Sequence, residues 1–258
     1  MKVKVLSTAL LSLLMVFNFS SSPMASGNGD SEVVKYKQVT DLNELYERAL
    51  NGISDLPEQE EKTFDSFTST DLSEINSDFE TQTNSTSQLL KVKNVNGKLV
   101  ETYATTVFQV SQDATDRIEQ EKQDNMIRPF ASKSDDKWDS TYGVKAYATI
   151  TWNNVYDSNQ VKHFDLTRVT GGWSYDGAGG YVLSNRSAIV GQVGPGSFGS
   201  TSGQSKQVAT SSNTYSYTVP ASWKPVASTK YTSCGVSTNI KISRGSSSWT
   251  LPFTNHAN

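Results

Sequence analysis

TYGVKAYATITW, residues 141–152, sets Tyr142, Val144, Ala146, Ala148, Ile150 and Trp152 at every second position, with mostly polar residues between them. Side chains of an extended chain point alternately to opposite faces, so this stretch predicts a half-buried strand. After a turn-rich loop from Asn153 to Gln160, Val161 to Thr170 resumes the pattern with Phe164 and Leu166. Its phase shifts at Arg168-Val169, which predicts a bulge. Tyr181 to Val193, Tyr215 to Val219, Cys234 to Ile242 and Trp249 to Phe253 continue the series, with glycine-rich loops at 177–180 and 194–203. No helical period interrupts these strands. Residues 135–258 are therefore predicted to form an antiparallel β-sandwich or barrel, and that length is ample for one core.

The opposite end of the chain reads as an export signal over residues 1–26. Lys2 and Lys4 precede an apolar run from Val5 to Phe19, and small residues surround Ser22 to Ser26, where a signal peptidase would cut. A membrane-spanning helix needs roughly 20 apolar residues, and this run is shorter; an uncleaved anchor is the alternative. No second long apolar run follows, and no cysteine stands near the signal for lipid attachment. The expectation is a secreted protein, extracellular or cell-wall associated, with no stable membrane insertion.

Between these ends lies an acidic region, 27–125. Asp41 and Glu44 have capping-box spacing, and Leu42, Leu45, Tyr46, Ala49, Leu50 and Ile53 share one helical face. A helix over 41–53 follows, stopped at Asn51-Gly52. Pro57 to Ser87 is polar and acidic and reads as loop. Gln88 to Val110 predicts a hairpin turning at Asn96-Gly97. A lone hairpin is marginal in water, so it needs the helix or the later sheet as a partner. Ser111 to Asp124 is charged and weakly helical, and residues 126–134, with Pro129, read as a linker. From Gly27 to Lys133 the chain carries 11 basic and 20 acidic residues, and from Ser134 to the end 10 basic and 6 acidic. The net charges of these halves, -9 and +4, suggest two regions with different roles.

Most catalytic chemistry finds little footing. The histidines are His163 and His256. His163 falls on the polar side of its strand and reads as solvent-facing, although a Ser-His-Asp arrangement through it is conceivable; no nucleophile elbow supports one. His256 sits in the terminal tail. A carboxylate pair for glycoside hydrolysis would have to come from residues such as Asp165 and Asp176. Asp135, Asp136 and Asp139 offer oxygen atoms to a calcium ion, but without the spacing of a calcium loop. One Cys and two His make no recognisable zinc site, and the glycine stretches match no phosphate-cradling motif, so neither metal nor cofactor is expected. Cys234 lies on the apolar face of its strand and reads as a buried thiol rather than a nucleophile.

Aromatic residues remain as candidate ligand contacts. Tyr147 projects from the polar face of its strand, and Tyr156, Trp173, Tyr175 and Trp223 lie in or beside predicted loops, where ligand sites concentrate. Trp152 and Trp249 fit the core. The segments QLLK…NGKLVETYATT and YGVKAYATITW, with the signal and the acidic stretch, resemble small secreted proteins of Gram-positive bacteria; the shared motifs are structural and transfer no site. The leading functional expectation is a non-enzymatic binding module for an anionic cell-wall polymer or a surface glycan, with no nucleic-acid partner. A bacteriocin-like antagonistic factor with a removable acidic pro-region is the alternative, and a secreted hydrolase ranks last.

Overall fold

A computed structural model describes residues 33–56, 79–95, 97–113, 144–175, 180–210 and 212–257. In chain order these form β1 (Val33–Lys35), α1 (Leu42–Leu50), β2 (Phe79–Val95), β3 (Lys98–Asp113), β4 (Val144–Tyr156), β5 (Lys162–Tyr175), β6 (Tyr181–Val193), β7 (Ser205–Val208), β8 (Thr214–Thr218), β9 (Val226–Ala227), β10 (Ser233–Arg244) and β11 (Ser247–Ala257). One sheet runs β1-β2-β3-β4-β5-β8, with β9 also on β5, and a second runs β11-β10-β6-β7. Every ladder among the described residues is antiparallel. The predicted mainly β class is the one observed, in its sandwich form: β10 and β11 lie over β3, β4 and β5.

The alternation in β4 does what its sequence pattern requires. Val144, Ala146, Ala148, Ile150 and Trp152 point into the space between the sheets. They meet Val169 and Trp173 of β5, Cys234, Val236, Ile240 and Ile242 of β10, and Leu251 and Phe253 of β11. The bulge falls at Thr167, one residue before its predicted place: Thr151 pairs with Arg168 and Trp152 with Leu166, leaving Thr167 unopposed.

The hairpin is part of the same sheet. β3 pairs with β4 from Glu101↔Asn154 to Ser111↔Val144, so the sequence question of what covers the hairpin is answered by backbone hydrogen bonds. Its strands are longer than predicted: residues 79–87, read as loop, belong to β2, and residues 111–113, read as weakly helical, belong to β3. The polar alternation of 79–87 hid a strand that pairs along its whole length with β3. β1, β7 and β9 are too short to leave a periodic signal. The signal region 1–26, the rest of the acidic loop (57–78), the remainder of 114–124, the linker 126–134 and the calcium candidates Asp135, Asp136 and Asp139 lie outside the described residues.

α1 starts where capping predicts. The Asp41 carboxylate accepts from the Glu44 N–H at 3.0 Å, and Gly52 takes φ 62° just past the Asn51 cap. The helix ends before Ile53, which is exposed rather than on its packed face. Leu45, Tyr46 and Ala49 cover Phe108 and Val110 on the outer face of β3, with Tyr46 edge-on to Phe108 at 5.2 Å. β3 is consequently buried on both faces from Tyr103 to Val110.

This integration gives a test. A chain cut once at a protease site built into residues 126–134 is expected to elute as a single species in native buffer. The two pieces part only in denaturant, because the β3–β4 ladder and the shared core still join them. Two separate fragments on native gel filtration would contradict the pairing.

Candidate functional site

The helix covers β3 but stops short of β5 and β8, and the uncovered outer face holds a groove of about 490 Å³. Its walls are Gln38 to Thr40 and the helix residues Leu42 and Leu45; Tyr147, Thr149, Thr170, Thr214 and Ser216 lie along it. Strand register explains the arrangement. Thr106, Thr149, Thr170 and Ser216 are successive cross-strand neighbours on β3, β4, β5 and β8, and Thr106 and Thr149 share a hydrogen bond of 2.8 Å. The adjacent row on the same face is Phe108, Tyr147, Gly172 and Thr214. Among the described residues no charged side chain lines the groove.

Two glycines shape this place. A Cβ on Gly172 would sit 2.4 Å from the Asn213 carbonyl and 3.0 Å from the Tyr147 hydroxyl, so this position admits only glycine and leaves room for the tyrosine to lie across β5. A Cβ on Gly171, which faces the core, would sit 2.3 Å from the Tyr215 hydroxyl. Burial raises the Tyr147 pKa, and raises that of Tyr215 further with help from Tyr147 nearby. Both phenols are therefore neutral hydroxyls at physiological pH. The groove wall is fixed from behind: Gln88 Oε1 accepts from the Val39 N–H at 2.8 Å and its Nε2 donates to the Val39 carbonyl at 3.1 Å.

A Ser-His-Asp cluster does exist, but it is wired as a clamp. His163 is 1 % exposed rather than solvent-facing, because loop residues Ser197 and Phe198 cover its ring. Its Nδ1 lies 2.9 Å from the Val161 carbonyl, so Nδ1 carries the proton and Nε2 accepts from the Ser197 N–H at 3.3 Å. The Ser197 hydroxyl donates to Asp157 at 2.8 Å and lies 3.1 Å from His163 Nε2. In a catalytic triad the carboxylate orients the histidine and the histidine takes the serine proton. Here the carboxylate takes the serine hydroxyl, and a backbone carbonyl occupies Nδ1. Asp157 also accepts from the Asn159 and Val161 N–H groups, and the Ser197 hydroxyl, then Val161, holds its carboxyl below the usual carboxylate range. The cluster ties the β4–β5 turn to the loop after β6.

The sequence-selected aromatics do not converge on one site. Tyr147 lines the groove. Trp173 lies within β5 rather than in a loop and is 3 % exposed, its ring 5.5 Å from that of Tyr215. The strand continues through Gly171 and Gly172, which pair with Ala148 and Tyr147 on β4 and with Tyr215 and Thr214 on β8. Tyr156 and Tyr175 end β4 and β5, and Tyr175 packs against the core edge. Trp223 is half-buried in a turn, 6.2 Å from Tyr217. Thr149, Thr170, Thr214 and Ser216 escaped the sequence reading, because threonine on an outward strand face is ordinary; only the glycine doublet beside them was a usable signal.

Of the remaining candidates, Asp165 is a half-buried strand residue with a pKa raised mainly by burial, and it accepts from Asn153 Nδ2 at 3.1 Å. Asp176 lies outside the described residues, so the proposed pair has one described member. Cys234 is fully buried and its thiol pKa is pushed up by burial. Among the described residues no group of three or more His, Cys, Asp or Glu side chains stands close enough to hold a metal ion. Comparisons with protein-family models, with curated proteins and with solved structures found no match.

His256 lies in β11 opposite Gly235, not in a loose tail, and burial holds its pKa down to about 4. Its Nε2 lies 3.3 Å from the Ser237 hydroxyl. An unfolded chain takes up this proton near the ordinary value of 6.5, the folded one only near 4. Stability from the neutral ring is thus complete above pH 6.5 and is lost as pH falls towards 4. Urea midpoints measured across that window are expected to fall for the native chain and to fall less for His256→Gln. Parallel curves for the two would contradict this assignment.

Proposed function

We propose that the protein is an exported, non-enzymatic binding module for a surface glycan, and that the glycan sits in the groove beside α1. One observation carries this reading: the groove combines an aromatic ring, a row of neutral hydroxyls and no charged lining residue. Sugars present the complementary chemistry, with apolar ring faces that stack on aromatic rings and hydroxyls that exchange hydrogen bonds with threonine and serine. The volume falls within the range of about 300–1,000 Å³ usual for ligand sites.

Of the two ligand classes expected from sequence, an uncharged glycan fits the groove better than an anionic polymer. The basic side chains of the C-terminal half, such as Arg168, Lys206, Lys224, Lys230 and Lys241, are exposed and lie outside the groove lining. They attract an anionic cell surface at long range, and salt screens that attraction. The antagonist-precursor reading calls for release of a free basic domain, which the β3–β4 ladder opposes. The Ser-His-Asp cluster that a hydrolase reading would use has its groups taken by competing partners.

The test is calorimetric titration with neutral oligosaccharides of glucose, mannose, galactose and N-acetylglucosamine. Binding to at least one series is expected, and it persists in about 0.5 M salt, where surface charges are screened. Tyr147→Ala is expected to weaken it by about tenfold, equivalent to about 1.4 kcal/mol. Binding that needs low salt, or that is indifferent to Tyr147, would overturn the proposal.

A further inference from the structure

The polar rows of the groove do not end at its rim. Two residues further along β4, Thr151 pairs with Arg168, and Arg168 pairs with Thr218 of β8. Beyond these, Thr102, Asn153 and Asp165 form another row, joined by hydrogen bonds from Thr102 to Asn153 at 2.7 Å and from Asn153 to Asp165 at 3.1 Å. Cross-strand neighbours share a face, so these rows continue the surface that carries Tyr147 and Thr149. Thr151, Asn153 and Asp165 are half-buried and Arg168 and Thr218 exposed, which leaves the strip open among the described residues.

From Tyr147 to Asn153 is six residues of strand, about 20 Å at the usual rise. The chemistry changes along it. The Tyr147 end offers an aromatic ring and hydroxyls, the middle offers Thr149, Thr151 and Thr170, and the far end brings Arg168, Asn153 and Asp165. A single sugar ring uses only the first part of such a strip.

Building on the glycan reading above, we infer that the ligand is an extended oligosaccharide that runs along β4 and β5 from Tyr147 towards Asp165. Its first ring stacks at Tyr147, where Gly172 gives the tyrosine room to lie across β5. Its later rings exchange hydrogen bonds with the threonine rows, and its far end meets Arg168 and Asp165. The polar pair at that end, an exposed guanidinium donor and a half-buried carboxylate acceptor, favours a sugar with hydrogen-bonding substituents there.

Chain length separates this from simple sugar binding. The same four neutral series, from disaccharide to hexasaccharide, are titrated into the native chain and into Thr151→Ala/Thr218→Ala. Affinity is expected to rise at least tenfold from disaccharide to hexasaccharide. The double variant is expected to weaken the hexasaccharide by several-fold while leaving the disaccharide unchanged, a split that a general loss of folding does not produce; unchanged thermal unfolding checks the same point. Should the double variant fold poorly, Arg168→Gln provides the same far-end test at an exposed position. Equal affinity for every length, or equal losses at every length, would overturn the extended-ligand inference and leave the groove reading standing. No binding by the native chain to any member would overturn both.

Discussion

Asn255 reaches from the last strand of the smaller sheet into the larger one, donating from Nδ2 to the Thr105 carbonyl at 3.0 Å and to the Ala148 carbonyl at 2.8 Å. Both partners only accept, so the amide must turn its NH2 group towards them. The contact joins β11, β3 and β4 in a buried interior, where each such bond adds about 0.5–1.5 kcal/mol. Three glutamines act in the same way. Gln192 accepts from the Leu166 N–H, beside the Thr167 bulge, and donates to the Lys224 carbonyl at 2.7 Å. Gln204 exchanges bonds with Lys224 in both directions, and Gln88 does so with Val39. Each of the three glutamine amides stands in for a peptide group where a ladder is interrupted or a loop must be held.

The outer face depends on that internal fixing. β3 is tied to the smaller sheet by Asn255 and roofed by α1, and the roof is anchored by Gln88. Since α1 is short, it covers Phe108 and Val110 but leaves the threonine rows of β4, β5 and β8 open. The groove is the boundary between the covered and uncovered parts of one sheet face. Its neutrality follows from sequence: the strand residues that line it are threonine, serine, glycine and tyrosine, while charged residues on the same face, Lys145 at one end and Arg168 and Asp165 towards the other, lie outside the lining.

Period-two alternation made the main strands, the core tryptophans Trp152 and Trp249, and the buried Cys234 legible before any coordinates, because burial of one strand face repeats every second residue. Capping chemistry did the same for the start of α1. What stayed hidden depended on contacts distant in sequence. Nothing local marks Asn255 as a bridge to residues more than a hundred positions away, and nothing local tells that Ser197 will close over His163. The segment at 79–87 looked like loop because its partner, not its composition, makes it a strand. Trp173 looked like a loop residue because the alternation of its strand faded after Thr170, and only the strands on either side show that β5 runs on to Tyr175.

Buried side-chain amides thus lock the two sheets and the hairpin into one cooperative unit. Equilibrium unfolding of Asn255→Ala in urea, followed by tryptophan fluorescence and by far-ultraviolet circular dichroism, tests it most directly. One shared transition for both signals is expected, at lower urea, with a loss of about 1–3 kcal/mol from the two lost hydrogen bonds. A variant as stable as the native chain, or two separated transitions, would contradict it.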